Sequence, residues 1–245
     1  GVVDSDKGLI LKGDVIPEMN APLLTELRNY FNFKIIIENN ANAAAIGEKW
    51  SGQGIDKKHF MTILPEFDTN VGGIGIGIII NNELYHGSTF CAGELNQHLP
   101  KMIDILENFR YRFSESEFFN QYLGNINQIN IRMVIEAAKK DDKIAVSMIM
   151  HFSNYLGKLI AKPVALLNPD ALIISGPLSQ LDNIIIDPLK DSINMEILSI
   201  TKDSLQIICS DLGEYSLCIE AASLILFDFF KSTPQRDKAP QPVNY

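Results

Sequence analysis

The stretch that decides the fold is ENNANAAA, from Glu38 to Ala45, which follows the β-branched run KIII at Lys34 to Ile37. The run is typical of a buried strand, and the alanine-rich stretch after it favours a helix. Asn39 or Asn40 can cap that helix, because a side-chain oxygen at this position accepts the free N–H groups of the first turn. Polar side chains are therefore expected at the carboxyl end of a strand, where α/β proteins bind ligands.

A glycine-rich pattern follows about thirty residues later. Strands are predicted at His59 to Leu64 and at Gly73 to Ile80, and Asn81-Asn82 predicts a hairpin turn after the second. Gly73, Gly75 and Gly77 alternate along this strand and share one face. A face without side chains admits either a close-lying ligand or a helix, and close packing is the commoner use of such glycines.

The remainder of the chain alternates helices with strands, which indicates an α/β protein. From about Lys101 the pattern is helical for nearly 70 residues and ends in a long amphipathic segment. The elements predicted from there onward are a helix at 141–167, a strand at 171–175, a turn at Gly176-Pro177, a helix from about 182, a strand at 206–209 and a helix at 215–230.

Composition narrows the classes of function. The chain has 245 residues and a net charge of −9, so it lacks the basic surface with which proteins neutralise nucleic-acid phosphates. Its three cysteines are odd in number and show no C-x-x-C spacing, which argues against a zinc framework or a disulfide scaffold and suits a reducing cytoplasm. No apolar run reaches about 18 residues, and the first residues lack a signal-peptide pattern, so a soluble intracellular protein is expected.

Common catalytic motifs are missing from the sequence. No G-x-x-x-x-G-K-[ST] occurs, which removes the P-loop class, and no nucleophile elbow occurs. The four histidines lack the spacing of metal ligands. Neither a metal nor a cofactor is expected.

The order of four sequence motifs along the chain resembles that of the ROK family of sugar kinases and sugar-responsive repressors. The resemblance runs from Gly1 to about Phe230 and is carried by four motifs in order: ENNANAAA at 38–45, VGGIGIG at 71–77, AGEL at 92–95, and LNPD at 167–170 leading to SGPLS at 175–179. It implies the actin-like ATPase (ribonuclease H-like) fold, in which two α/β lobes enclose a ligand cleft.

On that plan the first lobe comprises residues 1–57 plus 215–231, the second comprises 58–214, and 232–245 form an extended or disordered tail. Family members carry an opening phosphate-binding strand before the segment that resembles residues 1–4, and repressors carry a winged-helix DNA-binding domain before that strand. The first lobe is therefore expected to be N-terminally truncated, although a naturally short protein is the alternative.

The resemblance also implies a sugar site. The family's E-N-D-A-N motif supplies an Asn that binds a sugar hydroxyl and an Asp that acts as the general base of phosphoryl transfer. Asn39 matches the Asn, whereas Asn40 stands at the Asp position. An amide cannot accept the proton of a sugar hydroxyl, so no kinase activity is expected.

Departures from the family pattern bear on the other ligands. Glu94 matches a sugar-binding Glu. Gln97 takes the place of the family's His that both contacts the sugar and ligates zinc, and His98 comes one residue late, so Asn39, Asn40, Glu94, Gln97 and His98 are the candidate ligand-binding residues. The zinc cysteines are absent from 99–123, so no zinc site is expected. Possible phosphate or nucleotide loops contain Gly72, Gly73, Gly75 and Gly176, although Gly72 replaces the family's Thr and Pro177 its second adenosine-side glycine.

These observations favour the ligand-sensing and dimerisation domain of a ROK-type regulator of sugar metabolism. The expected partners are a small sugar or sugar phosphate and a second copy of the chain; DNA would be bound only through a separate domain, and no membrane is involved. The alternatives are a dimerisation scaffold that binds no ligand and an ATP-dependent sugar kinase.

Overall fold

The strands form two sheets. The computed structural model describes residues 1–13, 18–67, 72–95, 99–213 and 216–232. A two-stranded antiparallel sheet pairs β1 (Val2–Asp4) with β2 (Leu9–Lys12). The larger sheet is mixed and has the order β5-β4-β3-β6-β7. Its strands are β3 (Phe60–Phe67), β4 (Gly72–Ile80), β5 (Glu83–Leu84), β6 (Ala171–Ile174) and β7 (Gln206–Cys209).

Nine α-helices lie within these described ranges, together with short 3₁₀ segments. The helices are α1 (Leu23–Arg28), α2 (Asn40–Ser51), α3 (Met102–Phe109), α4 (Glu117–Asn120), α5 (Ile131–Lys139), α6 (Lys143–Leu167), α7 (Asn183–Asn194), α8 (Ser199–Ser204) and α9 (Ser216–Ser232). The predicted helices at 141–167 and 215–230 are confirmed to within two residues at each end. The predicted α/β class is also confirmed, with helices on both faces of the larger sheet.

The two faces of the larger sheet are covered differently. On one face, α2 and α9 pack against a small cluster that contains Phe60, Ile79 and Ile173. On the other face, α3, α5, α6 and α7 bury the main core, to which the strands contribute side chains such as Met61 and Ile174. The alternation arises because successive side chains of a strand point to opposite faces.

Helix α6 is long and apolar enough to span a bilayer by composition, but 56% of its most apolar window is buried within the protein. Gly157 lets α7 approach closely, since a Cβ there would lie 2.8 Å from the Leu189 carbonyl oxygen. The Ser153 hydroxyl donates a hydrogen bond to the Ile185 carbonyl oxygen across the same contact. Helix α6 is therefore a buried core helix that covers one face of the larger sheet.

One predicted strand is wrong. Lys34 to Ile37 form no strand in the structure, and the chain enters the larger sheet only at β3. A β-branched run favours an extended backbone, but a strand also needs a neighbour that supplies ladder hydrogen bonds. The hairpin at Asn81-Asn82 is confirmed, and both residues have positive φ values of 54° and 67°, as a type I′ turn requires.

Thr62 lies in the centre of β3 and is fully buried, and its hydroxyl has no hydrogen-bond partner within the described part of the chain. Replacing it with the isosteric valine should raise the free energy of unfolding by about 1 kcal/mol, because an unsatisfied buried hydroxyl costs desolvation energy. Urea denaturation of Thr62→Val measures the change, and Thr25→Val, exposed on α1, is the control. A less stable Thr62→Val protein would show that the hydroxyl does have a partner.

Candidate functional site

The candidate site is built on the N-terminus of α2. Asn39 is the N-cap residue, and its Oδ1 accepts hydrogen bonds from the N–H groups of Ala41 at 2.8 Å and Asn42 at 3.3 Å. Its φ of −65° and ψ of 143° are the extended values that a capping residue adopts. The cap predicted for this helix is therefore at Asn39.

Glu38 lies beneath this cap and faces away from solvent, with its side chain 6% exposed. Its Oε1 accepts hydrogen bonds from the Asn39 N–H and from Asn42 Nδ2, both at 2.9 Å. Its Oε2 lies 2.9 Å from His86 Nε2, which comes from the loop after β5. Burial alone would raise the pKa of Glu38, but the hydrogen bonds from His86, Asn42 and the Asn39 backbone outweigh it and hold that pKa below its usual value.

The structure brings Asn39 and Glu94 together, two residues that the sequence predicts for one sugar site. The Asn39 Nδ2 group donates to Glu94 Oε1 at 3.4 Å and to the Gly1 carbonyl oxygen at 2.7 Å. Gly1 precedes β1, so the small antiparallel sheet also reaches this site. Glu94 is exposed and lies in the loop that returns from β5.

Asn40 contacts a carboxylate that sequence reasoning missed. Its Nδ2 donates to Glu66 Oε1 at 3.3 Å, and both side chains are exposed. Glu66 stands near the end of β3, 26 residues away in the chain, and no motif marks it. His86 was missed for the same reason. Only the pairing of β3 with β4, and the packing of α2 on both, reveals these neighbours.

Two glycines of β4, Gly75 and Gly77, allow α2 to pack closely against the strand. A Cβ at Gly77 would lie 2.3 Å from the Ala41 carbonyl oxygen, and one at Gly75 would lie 2.7 Å from the Ala41 Cβ. The sequence leaves open whether a ligand or a helix lies against this face. In the structure it is a helix, because α2 packs against Gly75 and Gly77.

The other predicted glycines have separate surroundings. Gly73 faces the Glu66 carboxylate, and Gly72 faces the backbone at Leu99. Gly176 has a positive φ of 80° and lines another cavity, of about 480 Å³, at the carboxyl end of β6. That cavity also contains side chains of α5 and α9, including Arg132 and Glu220.

Two predicted site residues, Gln97 and His98, lie outside the described residues, as does nearly all of the predicted tail at 232–245. Within the described ranges, no group of three or more His, Cys, Asp or Glu side chains could hold a metal ion. The three cysteines are free thiols, and burial raises the pKa of Cys209 to about 12. The site therefore consists of two asparagine amides and the carboxylates of Glu66 and Glu94.

Comparison with known sequences identifies the family of this chain and xylose repressors among its relatives. Residues 1–102 and 109–226 match the sequence model of the ROK family. The xylose repressor of Caldicellulosiruptor bescii is 25% identical over 249 residues, which cover 93% of this chain and 61% of that protein. The chain thus spans about 61% of that repressor's length, and 51% of the putative xylose repressor of Caldicellulosiruptor sp..

Solved structures share the fold of this chain. A ROK family transcriptional regulator, described as a homologue of the E. coli MLC protein, superposes with a TM-score of 0.76 at 22% identity and covers 91% of this chain and 60% of its own. A second structure is that of a ROK family glucokinase from Streptomyces griseus in complex with glucose and AMPPNP. It superposes with a TM-score of 0.77 at 22% identity, and the match covers 91% of this chain and 78% of the glucokinase.

Proposed function

This chain belongs to the ROK family and has its actin-like ATPase fold, and on that premise we propose that it is the ligand-sensing and dimerisation part of a sugar-responsive transcriptional regulator. The observation that carries the proposal is the amide and carboxylate cluster at the start of α2, in which Asn40 stands where kinases of the family have their base. DNA binding would require a separate domain, because net charge −9 disfavours contact with phosphates. A regulator of this kind acts in the cytoplasm, as a homodimer.

The cluster is suited to recognising hydroxyl groups. Carboxylate oxygens only accept hydrogen bonds, whereas the hydroxyls of a sugar can donate them. Glu94 is held by Asn39 and Glu66 by Asn40, so two acceptors are kept in place at one helix terminus. A sugar bound there would favour one arrangement of the proposed lobes, at 1–57 plus 215–231 and at 58–214, and so could reorient the DNA-binding domains of a dimer. A coupling of about 1 to 3 kcal/mol is typical of such transmission.

Titration calorimetry of the 245-residue chain with hexoses, pentoses and N-acetylated sugars tests the sensor function. We expect at least one of these sugars to bind, and Glu94→Gln to weaken that binding by roughly tenfold or more, because a charged acceptor is replaced by a neutral amide. Glu83→Gln, exposed on β5, is the matched control and should bind as the wild type does. Dimerisation without binding of any sugar would favour a ligand-free scaffold instead.

A kinase is the second candidate, and the position of Glu66 favours it. A carboxylate 3.3 Å from the Asn40 amide could accept the proton that the amide cannot. An assay for sugar-dependent ADP release distinguishes the two functions. We expect no release above background from the wild-type protein, and sustained release that Glu66→Gln abolishes would establish the kinase.

A further inference from the structure

Building on the proposed function, we propose that Glu66 is a ligand-binding residue and that, together with Glu94, it restricts the site to an uncharged sugar and excludes sugar phosphates. Asn39 and Asn40 position these carboxylates through hydrogen bonds. The proposal rests on the hydrogen bonds of the asparagines, on the placement of Glu66 in the sheet, and on the charge of the site.

The side chain of Asn39 has little capacity left for a ligand. An asparagine amide offers two N–H donors and one oxygen with two lone pairs. The oxygen already accepts the N–H groups of Ala41 and Asn42, and the nitrogen already donates to the Gly1 carbonyl oxygen and to Glu94. Asn39 therefore fixes both the helix terminus and the Glu94 carboxylate, which leaves the carboxylate as the group that can accept from a ligand.

Asn40 holds Glu66 in a similar way. One N–H of its amide donates to Glu66 Oε1, and its Oδ1 lies 3.0 Å from the Ala41 N–H. Glu66 itself is exposed and makes no ion pair with any described residue, so its second oxygen is open to a donor. A sugar hydroxyl is such a donor.

The sheet provides the space for Glu66. Glu66 on β3 lies directly opposite Gly73 on β4. A Cβ at Gly73 would stand 3.3 Å from Glu66 Oε2, tighter than ordinary van der Waals contact. This glycine of the hairpin therefore accommodates a carboxylate, and a phosphate at the same place would meet a negative charge.

Three backbone N–H groups at the helix terminus already have acceptors within the protein. The N–H groups of Ala41 and Asn42 are bonded to Asn39 Oδ1, and that of Ala43 is bonded to the Asn39 carbonyl oxygen. Neither Glu66 nor Glu94 is paired with a lysine or arginine within the described residues. A phosphate ester in this site would face two carboxylates with the N–H groups of Ala41, Asn42 and Ala43 already in use, whereas a neutral sugar would supply donors to both carboxylates.

Titration calorimetry with D-xylose, D-glucose, N-acetyl-D-glucosamine and D-glucose 6-phosphate tests the proposal on the wild type, Glu66→Gln and the control Glu83→Gln. We expect one of the neutral sugars to bind the wild type, the phosphate ester to bind at least tenfold more weakly than glucose or not at all, and Glu66→Gln to weaken the neutral sugar by roughly tenfold or more. Far-ultraviolet circular dichroism and the melting temperature check that each variant is folded.

Three results would overturn the inference. Wild-type affinity in a folded Glu66→Gln protein, or tighter binding of the phosphate ester than of glucose, would overturn it while leaving the sensor function intact. Failure of the wild type to bind any sugar, neutral or phosphorylated, in this panel or in the wider one above, would overturn the inference and the sensor function together.

Discussion

Replacing Gly77 with alanine is expected to lower the free energy of unfolding by about 3 kcal/mol. The added Cβ would lie 2.3 Å from the Ala41 carbonyl oxygen and 2.6 Å from the Ala45 Cβ. Neither atom belongs to a flexible side chain, so α2 and β4 would have to separate, and forced overpacking of this kind typically costs 1 to 3 kcal/mol and occasionally more. Urea denaturation measures the loss.

The same variant should also disturb the candidate site. Ala41 directly follows Asn39 and Asn40, so a displaced α2 carries both amides away from Glu94 and Glu66. Gly124→Ala is the control, because a Cβ there would meet no atom within 4 Å. A Gly77→Ala protein as stable as the wild type would mean that α2 does not pack against this glycine.

The second large effect concerns Glu220 on α9, which is 3% exposed. Burial, together with repulsion from the fully buried Glu48 carboxylate, raises the pKa of Glu220 to about 7 from an ordinary 4.5. The folded protein therefore binds this proton more tightly than the unfolded chain does. Stability from this group is greatest below about pH 4.5, falls as the pH rises to about 7, and is constant above that.

Glu220→Gln removes this penalty and should stabilise the protein at pH 8 by about 3 kcal/mol, because a tenfold difference in proton affinity between the folded and unfolded states is worth about 1.36 kcal/mol and the pKa of about 7 lies well above 4.5. At pH 4.5 the two proteins should differ little. Urea denaturation between pH 4.5 and 8 measures the slope, and Glu196→Gln, exposed after α7, is the control. A variant that is less stable than the wild type at pH 8 would show that the Glu220 carboxylate is satisfied when ionised.

Glu48 shares this environment, and burial raises its pKa as well. Its oxygens accept hydrogen bonds from the Gln53 N–H at 2.9 Å and from the Ser175 hydroxyl at 3.3 Å. Glu48 lies on α2 and Glu220 on α9, so the two acids lie between the helices that cover one face of the sheet. Their titration is therefore coupled to the contact between those helices.

The hydrophobic pattern of the sequence was sufficient to predict the elements that bury a regular apolar face. The predicted strands in β4, β6 and β7 agree with the structure to within one residue at each end, because their apolar runs pack between helices on both sides. The same criterion was wrong for Lys34 to Ile37, where the composition suits a strand but no described segment pairs with it. Local composition reports backbone preference, while pairing depends on distant parts of the chain.

The sequence by itself predicted that an asparagine, Asn39 or Asn40, caps α2, because a capping side chain bonds to N–H groups only two and three residues ahead in the chain, as Asn39 does. Through its resemblance to the family motif, it also predicted that Asn40, and no carboxylate, stands at the position of the family's base. Only the tertiary structure decided that Gly75 and Gly77 face a helix, and that Glu66 and His86 complete the surroundings of the site. Those contacts join residues 26 to 48 positions apart, and they exist because the β3–β4 pairing and the packing of α2 set their distances.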